Sequence, residues 1–110
     1  MIVTLVSWNQ PEIQYIFLKN INYIIQKRPQ ILEKETKVFF CKFNEPYYIK
    51  IEKLEILLKL SDLKNYEIVL NELSEYSNEV DVDYVQKVVR IIGKIALKVD
   101  KSVDKLKIIN

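Results

Sequence analysis

The sequence predicts an all-α fold in which helical hairpins stack into a solenoid. Two observations carry that prediction: a shortage of turn residues, and long apolar-striped segments that recur at a fixed step. One glycine and three prolines in 110 residues leave few places for the tight turns that sandwiches and barrels require. Hydrophobic residues make up 49% of the chain, enough for a folded body with one modest core.

The first long helix spans residues 11 to 27. Pro11 suits a first helical position, where a missing N–H costs nothing. Ile13, Phe17, Ile21, Ile24 and Ile25 recur at steps of three and four as one apolar stripe. Pro29 ends the helix, because the residue before a proline disfavours helical geometry. The second long helix opens near Pro46 and reaches about Leu60, with Tyr47, Ile51, Leu54, Leu57 and Leu58 as its stripe. The third opens at Asp81 to Asp83, where carboxylates cap free N–H groups and suit the positive end of the helix dipole. Val85, Val88, Val89, Ile92, Ala96 and Val99 follow at helical spacing.

Shorter segments lie between. Residues 64 to 76 read as a helix with Val69, Leu70, Leu73 and Tyr76 on one side. Residues 102 to 110 read as the opening of another helix, and Ile2 to Val6 as the tail of one. Ile31 to Phe43 reads as a short or irregular helix. Lys37-Val38-Phe39-Phe40 has strand propensity, yet no partner strand is evident.

The openers Pro11, Pro46 and Asp81 stand at a constant step of about 35 residues. The pairs Ile13-Gln14, Ile49-Lys50 and Val85-Gln86 repeat at about 36. One long helix per period with a shorter one between is the signature of a helical solenoid; a bundle with evenly spaced helices is the alternative. Apolar residues crowd both ends (Ile2, Val3, Leu5 and Val6; Leu106, Ile108 and Ile109). A solenoid's outer repeats normally present a polar face, so the chain reads as a piece of a longer stack, sticky at its ends.

Charge and composition exclude more than they suggest. The net charge of +2 comes from 17 basic and 15 acidic residues that interleave, as on a solvated helical surface. Nucleic-acid binders carry a stronger basic excess on one face. Histidine is absent and Cys41 is the single cysteine, so no internal disulfide forms and the commonest general base is missing. Cys41, in an apolar stretch, is expected to be a buried inert thiol. Met1 to Val6 lacks the form of a signal peptide, and no apolar run is long enough to span a membrane, which is consistent with the cytosol.

No residue set points to catalysis. Glu72 with Glu75 and Tyr76, and Asp81 with Asp83, read as surface charge and capping groups rather than acid pairs. Gly93 is the sole glycine and lies inside the best helix, where it costs about 1 kcal/mol relative to Ala; close approach of a second helix is the expected compensation, a kink the alternative. Lys27-Arg28 and the run Lys94, Lys98, Lys101, Lys105 and Lys107 could meet anionic head groups or an acidic partner. An ordinary solvated helix face is the preferred reading. Seven tyrosines and Trp8 are scattered and read as core or groove lining.

The residues also carry a family resemblance. Gln26-Lys27-Arg28-Pro29, Ile31-Leu32 and Lys37-Val38-Phe39-Phe40 resemble the trunk of the beta-adaptins, the large beta subunits of clathrin adaptor complexes. So do Asn44, Pro46 and the run Tyr48-Ile49-Lys50-Ile51-Glu52-Lys53-Leu54. Further on, Glu75-Tyr76, Glu79-Val80-Asp81-Val82-Asp83, Val85, Arg90, Ile92-Gly93 and Lys98-Val99 continue the match, collinear over essentially the whole chain. The resemblance implies a right-handed α-solenoid of HEAT/armadillo-like hairpins, with residues 1–110 a segment of the N-terminal trunk holding about three repeats. It implies a scaffold rather than an enzyme, with no cofactor, no metal and no functional site carried over. The implied partners are a second large adaptin and the medium and small adaptor subunits, with no nucleic acid. Clathrin would be met through regions absent here, and membranes peripherally through the complex, on Golgi, endosomal or plasma-membrane coated vesicles. Heavy use of Ile, Lys and Asn keeps the apolar stripes but blurs which adaptor complex is meant. A karyopherin or phosphatase scaffold, or a helical accessory domain of an enzyme, are the other readings that periodicity alone leaves open.

Overall fold

A computed structural model of the chain describes residues 10–28, 32–42 and 44–109. The elements are α1 (Pro11–Lys27), a 3-10 helix (Glu33–Phe39), α2 (Tyr47–Leu60), α3 (Tyr66–Tyr76) and α4 (Val82–Ile109), and no strand occurs among the described residues. The all-α prediction therefore holds. The reading of Ile2 to Val6 falls outside the described residues. The chain divides into two compact units, Met1–Leu60 and Ser61–Asn110.

In the first unit α1 begins at Pro11 and ends at Lys27, as the two prolines dictate. Its buried side is Gln14, Leu18, Ile21 and Ile25. The expected stripe is thus turned by about one residue: Ile21 and Ile25 are in the core, Phe17 is half-buried, and Ile13 and Ile24 are exposed. The segment between α1 and α2 resolves into a 3-10 helix rather than a strand. Leu32, Thr36 and Phe39 are buried there, and Phe40 closes it in extended geometry with φ −64° and ψ 136°. A short turn rich in Thr, Val and Phe loses side-chain freedom in an α-helix, and one buried edge is enough to hold the tighter coil.

Helix α2 lies against α1 on one side and the 3-10 helix on another. It accordingly buries residues around most of its circumference, including Ile49, Leu54, Ile56, Leu57 and Leu60. Of its expected stripe, Leu54 and Leu57 are buried, Ile51 and Leu58 half-buried and Tyr47 exposed. Each fully buried aliphatic side chain contributes about 1.5–3 kcal/mol.

The direction of α1 and α2 follows from their contacts. Gln14 meets Glu45, Tyr15 meets Tyr48 at a ring-centroid distance of 5.3 Å, Lys19 meets Glu52, and Asn22 meets both Glu52 and Lys59. Partners ascend together along both segments, so the two long helices run side by side in the same direction. The intervening 3-10 segment is the return limb. This is the arrangement that a step of about 35 residues requires of a helical repeat.

In the second unit Asp62 and Asn65 exchange bonds: Asp62 N donates to Asn65 Oδ1 at 2.8 Å and Asn65 N to Asp62 Oδ1 at 3.1 Å. That box leads into α3, whose buried residues Val69, Leu73 and Tyr76 match the expected stripe, with Leu70 half-buried. Asp81 caps α4 as expected, its Oδ1 accepting from Tyr84 N at 3.2 Å. Tyr84, Val88, Ile91 and Ile95 form the buried line of α4. Of the expected line only Val88 belongs to it; Val85, Ile92 and Val99 are half-buried, and Val89 and Ala96 exposed.

Two other expectations for α4 need correction. Residues 102 to 109 do not open a new helix but continue one helix of 28 residues. The Ser102 hydroxyl donates to the Lys98 carbonyl at 3.0 Å, a bond made within the unbroken helix. Gly93 faces open space: a Cβ there would meet nothing within 4 Å among the described residues. Close helix approach is therefore not its compensation here.

Candidate functional site

The most constructed feature of the first unit is a polar seam between α1 and α2. Glu45, in the turn before α2, accepts from Lys53 Nζ at 2.6 Å, Gln14 Nε2 at 3.1 Å and the Lys42 backbone N–H at 2.8 Å. The Lys53 side chain is 1% exposed and that of Glu45 9%. A buried charge is tolerated only when paired and hydrogen-bonded, and both carboxylate oxygens here are engaged. Further along, Glu52 receives Lys19 Nζ at 2.8 Å and Asn22 Nδ2 at 2.8 Å, while Asn22 Oδ1 accepts from Lys59 Nζ. The Glu52 carboxylate, bonded to its ammonium, holds Lys19 above the usual lysine range.

Chemically, the seam fixes the register between helices one repeat apart. Its carboxylates are matched to cations and amides rather than set against each other, so it is built to hold and not to transfer protons. Sequence reasoning missed it, since Glu45, Glu52 and Lys53 looked like ordinary helix-surface charges. The one available signal was the position of Gln14, a long polar residue after an apolar one, which recurs as Lys50 and Gln86 in the next two periods.

The residues singled out from sequence are not brought together. Glu72 is half-buried and Glu75 exposed, while Tyr76 is buried with its ring 6.3 Å from that of Tyr84. Asp83 is exposed in the first turn of α4. Lys27 folds back on Tyr23, with Nζ 4.8 Å from the ring centroid, and Arg28 is exposed. Lys98 is half-buried and burial lowers its pKa, against the pull of Asp62. Lys94 and Lys101 are exposed, and the side chains of Lys105 and Lys107 lie outside the described residues, as does Trp8. Cys41 is half-buried rather than buried, its thiol 3.6 Å from the Lys50 carbonyl. No group of three or more metal-ligating side chains occurs among the described residues, and among them no helix is long and apolar enough to cross a membrane.

A fixed repeat step, parallel long helices and a short return limb together describe helical-repeat architecture. Comparison with known families decides which kind. Residues 1–109 match the family described as the adaptin N terminal region. The chain belongs to that family.

Its relatives place it among the beta-adaptins. It is 55% identical over 101 residues to AP-1 complex subunit beta of Dictyostelium discoideum, covering 92% of this chain and 11% of that protein. It is 54% identical over 104 residues to AP-1 complex subunit beta-1 of Homo sapiens, covering 94% and 11%. Identity to AP-2 complex subunit beta of Schizosaccharomyces pombe is 38% over 100 residues, covering 91% and 15%. The adaptin chain thus spans about a tenth of the length of these two AP-1 relatives. The resemblance read from Gln26 to Val99 is the one these relatives show.

Proposed function

We propose that this chain is a trunk segment of a beta-adaptin, a structural scaffold in a heterotetrameric adaptor complex that serves intracellular protein transport and coated-vesicle formation. The observation that carries the reading is the identity of 54–55% to the AP-1 beta subunits of Dictyostelium discoideum and Homo sapiens over more than nine-tenths of the chain. The architecture agrees with it. Apolar faces build the stack and a charged seam fixes its register, which is what a scaffold requires and what a catalytic site does not. In this reading residues 1–110 form one continuous run of trunk repeats. The partners are a second large adaptin and the medium and small subunits, and the complex works on the cytoplasmic face of coated membranes.

A segment exchange tests this. Residues 10–109 replace the matching segment of the Dictyostelium discoideum AP-1 beta subunit, and the tagged chimera is recovered from cells under gentle conditions. Recovery with the other large, medium and small subunits is the expected result. A soluble chimera recovered with none of them overturns the reading.

A further inference from the structure

Two stripes of α1 are matched almost residue for residue. The buried one is Gln14, Leu18, Ile21 and Ile25. One position earlier, about 100° around the helix, runs Ile13, Phe17, Asn20 and Ile24. Each stripe holds three large apolar residues and one amide, so apolar burial gives little preference between them. In a repeat stack a long helix is flanked on more than one side, and apolar residues around its girth do not say which side meets which neighbour. The two amides differ. Gln14 donates across to Glu45 at 3.1 Å, whereas Asn20 donates to the Ile16 carbonyl of its own helix at 3.0 Å.

We propose that Glu45 and Glu52 select the rotational phase of α1, deciding which of its two stripes faces α2. Glu45 receives Gln14, and Glu52 receives Asn22 and Lys19. Turning α1 by one residue's angle, to bring the other stripe inward, sets Ile13 against Glu45 and Ile21 against Glu52. Both carboxylates then lose their donors from α1, and a buried acceptor left short of a donor is costly. The number of buried apolar residues stays the same, so the penalty falls on the wrong phase alone. The seam thus acts as a specificity device: it discriminates between two packings that the hydrophobic pattern makes nearly equal. With the carboxylates replaced by apolar residues, the two phases should be populated within about tenfold of each other.

Isoleucine-methyl NMR of the purified chain with a soluble gadolinium chelate tests the proposal, because each stripe contains two isoleucines and α1 itself need not be altered. In the wild-type chain Ile21 and Ile25 are buried and Ile13 and Ile24 exposed, so the chelate should relax only the second pair strongly. In the variant Glu45→Met, Glu52→Met, Lys53→Met the chain should still unfold cooperatively in urea. Relaxation of Ile21 and Ile25 should rise and that of Ile13 and Ile24 fall, as averaged or doubled signals. Glu45→Gln with Lys53→Met keeps an acceptor for Gln14 and leaves Glu52 in place, and should keep the wild-type pattern. A folded triple variant with the wild-type pattern overturns the proposal, since apolar packing alone would then set the phase. So does a triple variant that no longer unfolds cooperatively and exposes all four methyls alike, because the seam would then supply stability and not a choice. A pattern altered to the same degree in the Glu45→Gln variant also overturns it.

Discussion

Glu45 concentrates the physics of the first unit in one side chain. Its carboxylate receives a buried ammonium, an amide and a backbone N–H, so removing it strands Lys53 in the interior. Breaking a buried pair from one side costs about 3–5 kcal/mol, whereas replacing both members with apolar groups is close to neutral. Glu45→Ala should therefore lower the unfolding free energy by that amount in urea titration, and Glu45→Ala with Lys53→Met should recover most of it. Equal losses in the single and double variants would show that the pair carries no such energy. Gly93 is the opposite case. It lies inside a helix with open space where its Cβ would be. Gly93→Ala should stabilise the chain by about 1 kcal/mol, the difference in helix propensity, measured by urea titration. A loss of stability would mean that another group packs against Gly93.

The elements were legible in sequence because their ends are written in local chemistry. Pro11 and Pro29 bound α1, Pro46 precedes α2, and Asp81 caps α4 through a bond that its position alone suggests. What was not legible is the rotation of each helix about its axis. In α1, isoleucines occupy so many positions that Ile13 and Ile24 looked as suitable for the core as Leu18. The structure instead buries Gln14, because Glu45 waits across the seam. In α4 the same ambiguity set Val85, Val89 and Ile92 against Tyr84, Val88 and Ile91, and the second line won the core. Long-range partners decide such phases, and spacing along one helix contains no record of them. The helix start expected at residue 102 failed for a related reason: the Ser102 hydroxyl bonds back to the Lys98 carbonyl four residues earlier and the helix continues.

For the whole molecule, the step of about 35 residues has meaning only if successive long helices lie side by side in one direction. The ascending contacts from Gln14–Glu45 to Asn22–Lys59 show this for α1 and α2. Family membership, read from collinear runs such as Lys37 to Phe40, then ties that geometry to the adaptin N-terminal region. Paired spin labels test the parallel arrangement most directly, in a chain with Cys41→Ser. Labels at 13 with 47 and at 24 with 59 should both be closer than labels at 13 with 59 and at 24 with 47. The reverse order would mean that α1 and α2 run antiparallel, and would contradict the repeat architecture.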